Sequence, residues 1–153
     1  MKRLLLFFVL IAFSSCEKTT VFSETLKNFS DNRWQMNDAK TFEFEVKKDI
    51  ASADIELLFS HIIDPQYQNV PLMVTITNPD GTVGEIYLNL QLKDSSGKTM
   101  SECMGDICDL RVDLKEGIAL TKGKYKITVH NGFPDKYLPN VLALGIEVKD
   151  KSK

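Results

Sequence analysis

Phe42-Glu43-Phe44-Glu45-Val46 alternates apolar and acidic side chains without a break. Successive side chains of a strand point to opposite faces, so Phe42, Phe44 and Val46 share one face, while Glu43 and Glu45 share the other. The first face predicts core and the second solvent. Similar runs follow at 53–63, 72–77, 85–92, 124–130 and 141–148, each bounded by Gly, Pro, Asn or Asp. Asn78-Pro79-Asp80-Gly81 and Asp94-Ser95-Ser96-Gly97 read as turns, because proline presets φ and glycine accepts a positive φ. No later segment joins a long apolar repeat at helical spacing to caps at both ends. Short strands, short turns and no βα alternation predict an all-β fold, a single antiparallel β-sandwich of Ig-like or jelly-roll-like type. An open barrel is the alternative.

The chain begins MKRLLLFFVLIAFSSC. Two basic residues precede ten apolar ones from Leu4 to Phe13, and Ser14 and Ser15 stand directly before Cys16. A helix of that apolar run is only about 15 Å long, whereas a membrane span takes roughly 20 residues. The pattern predicts an export signal over 1–15, removed on maturation. The small residues before Cys16 suit lipoprotein signal cleavage, and Phe13 supplies the bulky apolar side chain that a leucine more often provides there. Cys16 is then the lipidation site, carrying two or three long acyl chains of the palmitate type. At about 0.8 kcal/mol for each buried methylene, such an anchor is effectively permanent. The expected organisation is a leader over 1–15, a lipidated N-terminus and tether over 16–40, and the sandwich over 41–150. The expected location is the cell envelope, by default the periplasmic face of the outer membrane.

Loss of Lys2 and Arg3 with the leader takes the net charge from −2 to −4. No basic tract survives, which argues against a nucleic-acid partner. Chemistry-bearing motifs are sparse. His61 and His130 sit within or at the end of predicted strands, with no HExxH or paired CxxC beside them, so they read as surface or edge-strand residues and no metal is expected. No serine lies in GxSxG. Asp106, Asp109 and Asp113 form an acidic cluster whose spacing fits no calcium loop, and they read as solvated loop and strand ends. The expectation is a non-catalytic protein without a cofactor.

Cys103 and Cys108 enclose four residues, and an oxidising compartment favours their pairing as a disulfide that pins a local bend. A catalytic thiol is the sharper alternative, but no basic neighbour is evident to lower its pKa. Trp34, Phe29 and Tyr67 are candidate interaction residues. As stacking platforms they would make the chain an anchored carbohydrate-binding module, with a glycan as partner. Packing or interface roles are the commoner use of such aromatics.

Asn32-Arg33-Trp34, the strand Phe42 to Val46, Tyr67-Gln68-Asn69-Val70-Pro71-Leu72, and Pro79-Asp80-Gly81 occur in that order after the cysteine motif. They are followed by Leu92-Lys93-Asp94 through Gly97-Lys98, Gly105-Asp106-Ile107, Gly123-Lys124-Tyr125, and Leu138-Pro139-Asn140 leading into Leu144-Gly145-Ile146-Glu147-Val148. In order and spacing this resembles the gliding motility lipoprotein GldH family of Bacteroidetes, over nearly the whole mature chain. The resemblance implies an envelope lipoprotein that supports the gliding machinery and its linked secretion system through contacts with other envelope proteins. It implies no reaction.

Overall fold

The computed structural model describes residues 19–152, so the export signal and Cys16 lie outside the described residues. Eleven strands account for nearly all regular structure. They are β1 (Thr19–Leu26), β2 (Arg33–Gln35), β3 (Lys40–Val46), β4 (Ile50–Ile62), β5 (Asn69–Thr77), β6 (Val83–Gln91), β7 (Glu102–Met104), β8 (Ile107–Leu120), β9 (Gly123–Asn131), β10 (Tyr137–Pro139) and β11 (Val141–Asp150). One sheet has five strands in the order β1-β11-β4-β8-β7, and the other has four in the order β3-β9-β5-β6. Every pairing is antiparallel. The fold is the expected antiparallel β-sandwich.

The opening alternation behaves as its period demands. Phe42, Phe44 and Val46 are buried and their neighbours exposed. Glu43 and Glu45 lie opposite Lys126 and Lys124 of β9, where a cross-strand pair of opposite charge contributes about 0.2–1 kcal/mol. Inward residues of both sheets form one core, including Ile55, Leu57 and Phe59 of β4, Val70 and Val74 of β5, and Leu144, Ile146 and Val148 of β11.

Three expectations are corrected. The segment 16–40 is not a tether throughout, and the sandwich does not start at 41. Thr19–Leu26 pairs with β11 as an edge strand, and Phe22 stacks on Phe44 at 4.9 Å, which in turn stacks on Tyr125 at 5.3 Å. Only Val21, Phe22 and Leu26 of its residues pack against the core, each partly and with no alternation to reveal the strand, because β1 covers an edge and needs little apolar surface. Gly145 allows the close fit, since a Cβ there would come 2.8 Å from Thr25 Oγ1.

The second correction is β8, absent from the expected runs. Cys108, Leu110, Val112 and Leu114 do alternate, but the intervening aspartates read as a loop and the register then shifts by bulges between β4 residues 50–56 and β8. The third concerns His61, which lies on the interior strand β4 and is 1% exposed, not at a surface or edge.

The sandwich has two unlike ends. At the turn end lie the start of β1, the end of β11, and the β3–β4, β5–β6 and β8–β9 turns. At the opposite end a two-stranded ribbon, β2 with β10, lies over the core, with the β7–β8 hairpin beside it.

Candidate functional site

The ribbon end is built around Trp34. Trp34 faces Leu138 across the ribbon, and both are fully buried. Its Nε1–H donates to the Asp38 carbonyl at 2.6 Å, its own carbonyl accepts from Asn131 Nδ2 at 3.0 Å, and the Phe29 ring packs edge-on at 5.8 Å. Lys40, also buried, sets its ammonium 2.7 Å from Asp38 Oδ2 and 4.6 Å above the Phe29 ring. With polar atoms bonded internally and no exposed ring face, Trp34 cannot serve as a stacking platform. That corrects its assignment as an interaction residue, and the buried Phe29 shares the correction. Tyr67 is half-buried, donates its hydroxyl to the Pro139 carbonyl at 2.7 Å and meets Phe133 edge-on at 5.4 Å. Burial pushes the Tyr67 phenol far above its ordinary pKa. The ring pins the loop that follows β4.

Cys103 and Cys108 are register partners in the β7–β8 hairpin and form a disulfide, with Cα atoms 4.0 Å apart. The hairpin turns through Gly105 and Asp106. Gly105 has φ +61° at the first central position, as a two-residue turn between twisted strands requires. Behind Cys108 lies its other cross-strand partner, His61. His61 Nδ1 donates to the Ile62 carbonyl at 2.9 Å, which leaves Nε2 to accept from the Ser101 hydroxyl at 2.8 Å. Burial lowers the His61 pKa below its ordinary value of 6.5, against smaller opposing effects of the Ile62 carbonyl and Asp109. The pair is a Ser–His contact but not a hydrolytic arrangement, because both residues are buried and the imidazole is oriented by a carbonyl. Its effect is to fasten the strand leading into the hairpin onto β4.

Side chains around that hairpin face outward. Met104 is 87% exposed, Ile107 53%, Met100 52% and Ile63 47%. Ile63 joins the others because its N–H donates to the Asp106 carbonyl at 2.9 Å. A groove of about 620 Å³ runs along this edge, lined by Met100, Glu102, Met104, Ile107, Asp109 and Arg111. These residues lay outside the sequence reading, since a methionine on a short hairpin carries no periodic signal. Beyond the hairpin, β7 covers only Ile107–Asp109, and among the described residues β8 from Leu110 to Leu120 has a strand neighbour on the β4 side alone. The far half of that edge is guarded against pairing by exposed Asp113, Lys115 and Glu116, and by Gly117 at φ +61°, whose N–H donates to Asp54 Oδ1 at 3.0 Å. The half beside the hairpin sets the apolar Met100, Met104 and Ile107 among the charged Glu102, Asp109 and Arg111.

The acidic residues singled out from sequence do not converge. Asp106 is in the turn, Asp109 accepts from the Ser60 hydroxyl, and Asp113 faces Glu56 on the outer face of the sheet. A different trio, Asp54, Glu56 and Asp113, brings one carboxylate oxygen from each within 4.8 Å of the others. Lysines answer that charge. Lys149 Nζ lies 2.8 Å from Glu56, and Lys151 contacts Asp54. Burial alone would lower the Lys149 ammonium, but Glu56 and Glu147 together hold it above its ordinary value.

Comparison with known proteins adds an independent line. Residues 21–148 match the family described as GldH lipoprotein. A relative named gliding motility lipoprotein GldH homolog, from Christiangramia forsetii, is 29% identical over 126 residues, which cover 80% of this chain and 74% of the relative. Among solved structures, the complex of an Aeromonas sobria serine protease with its chaperone aligns at TM-score 0.41 and 10% identity, over 88% of this chain and 27% of that one. A family 35 carbohydrate binding module from Clostridium thermocellum aligns at TM-score 0.37 and 14% identity, over 80% of this chain and 97% of that one.

Proposed function

The chain belongs to the GldH lipoprotein family, and on that premise we propose that it is a non-catalytic, lipid-anchored protein of the cell envelope. It supports gliding motility and the associated protein secretion by binding other envelope proteins, from the periplasmic face of the outer membrane. The observation that carries this reading is the apolar cluster of Ile63, Met100, Met104 and Ile107 around the disulfide-bonded hairpin. Exposed clusters of large apolar side chains are costly in water and mark sites of protein contact. Methionines suit such a surface because the unbranched thioether adapts to the shape it meets. The adjoining edge of β8 offers backbone N–H and C=O groups to a partner's extended segment, while the hairpin supplies the apolar contact.

The test is affinity purification from the native envelope after mild crosslinking, using the wild type, Cys16→Ala and the double variant Met104→Glu with Ile107→Glu. Recovery of gliding or secretion components is expected with the wild type and should fall several-fold with either variant. Equal recovery with the double variant would remove the hairpin from the interface. Recovery of no protein with the wild type would overturn the reading.

A further inference from the structure

The turn end carries a second, differently charged surface. Lys47 and Lys48 are exposed in the β3–β4 turn, and Lys122 is exposed in the β8–β9 turn. Among the described residues none of the three is held in an ion pair, whereas Lys151 nearby is held by Asp54. Two carboxylates of these turns are taken up by backbone N–H groups, one across to the neighbouring turn and one within its own turn. Asp49 accepts from the Lys122 N–H at 2.7 Å, and Asp80 accepts from the Thr82 N–H at 2.9 Å. Three ammonium groups therefore project from this end. At the ribbon end Lys40 is paired with Asp38 and Lys93 with Asp64, while Lys98 and Lys136 are exposed and, among the described residues, outside any ion pair, so what sets Lys47, Lys48 and Lys122 apart is their place in the chain.

The chain enters the sandwich at this same end. Thr19 pairs with Asp150, and a groove is lined by Thr19, Val21, Lys47, Lys48 and Asp150 together with Glu45, which lies opposite Lys124 of β9. Cys16 precedes Thr19 by three residues. Even fully extended, that stretch reaches only about 10 Å. A lipid on Cys16 thus holds the start of β1 within about 10 Å of the headgroup region, comparable to the Debye length of about 8–10 Å at 0.1–0.15 M salt. At that range an anionic surface attracts exposed lysines.

We propose that the turn end is the membrane-facing surface of this protein, with Lys47, Lys48 and Lys122 contacting anionic lipid headgroups while the ribbon end and its hairpin point away from the bilayer. The proposal rests on lipidation of Cys16 and not on the identity of any protein partner. It explains why the apolar cluster stands at the end away from the anchor, where an approaching protein meets it.

The test is amine-acylation footprinting of the full lipidated chain, reconstituted into vesicles of phosphatidylethanolamine with phosphatidylglycerol and, separately, of phosphatidylcholine alone. The mass of the N-terminal peptide reports whether Cys16 is acylated. With acylation present, Lys47, Lys48 and Lys122 should react several-fold more slowly in the anionic vesicles than in the zwitterionic ones, while Lys98 and Lys136 at the other end react equally in both. Acylated protein with no slowing at the three lysines, or equal slowing at Lys98 and Lys136, overturns the orientation and leaves the anchor intact. An unmodified Cys16 overturns both.

Discussion

The two ends of this sandwich solve the same problem by different means. The turn end relies on tight connections between long strands, held by aspartate side chains that accept from turn N–H groups, as Asp49 does from Lys122 and Asp80 from Thr82. The ribbon end, where loops are longer, is closed by a buried tryptophan, a buried lysine over an aromatic ring, a Ser–His contact and a disulfide. Short turns exclude water because few residues lie between strands. Long loops leave the core open unless side chains cover it, and that cover can also project groups outward. The exposed methionines sit at the end where such elaboration was already needed.

Removing Trp34 should break the contrast most severely. Trp34→Ala empties a fully buried site and takes the indole donor away from the Asp38 carbonyl, so a loss of about 3–5 kcal/mol is expected in urea unfolding. A loss under about 1 kcal/mol would mean that the ribbon adds little to closure. At the turn end, the corresponding weak point is Gly123, with φ +143° and Pro79 Cβ 2.5 Å from where a Cβ would stand. Gly123→Ala should cost about 1–3 kcal/mol by the same measurement, and a neutral result would show that the turn relaxes freely.

Replacing both Cys103 and Cys108 by serine should cost about 2 kcal/mol or less, because so short a loop contributes little chain entropy. The larger expected change is faster amide exchange confined to Glu102–Leu110, and exchange spreading into β4 would contradict a local role.

Protons should discriminate the ends as well. His61 has its folded pKa held below the ordinary 6.5, so the unfolded chain binds the proton more readily. Its neutral form therefore supports full stability above that value, and stability declines as pH falls from there toward the folded pKa. Comparing unfolding at about pH 7.5 and about pH 5.5, the decline should be smaller in His61→Gln than in the wild type. Equal declines would assign the acid sensitivity to the carboxylates alone.

Smallest of all should be the stability effect of Met104→Glu with Ile107→Glu, within about 0.5 kcal/mol, since both side chains already face water. A large loss would show that the cluster supports the fold instead of a partner.

The strands with a strict period were legible wherever one face is buried and the other wet, as in Phe42 to Val46. Legibility failed for two physical reasons. β1 borders the sheet and buries little, so its sequence carries almost no alternation. β8 alternates but crosses bulges and bears acidic residues on its outer face, and these concealed it. Trp34 was misplaced because an isolated tryptophan between polar residues gives no hint that a three-residue ribbon will fold over the core around it. The hairpin cluster was invisible for a related reason. Exposure of a methionine depends on what the rest of the chain leaves uncovered.

By itself the sequence determined the fold class, the hairpin turns and the cysteine pair available for bonding, because each depends on residues near one another in the chain. The tertiary structure alone decided that the N-terminal strand completes a sheet, that Trp34 is core and His61 interior, and that the exposed methionines of the hairpin stand at the end away from the start of β1. Those features depend on which strands become neighbours. That is set by burying one shared core among segments more than a hundred residues apart, as when Thr19 meets Asp150.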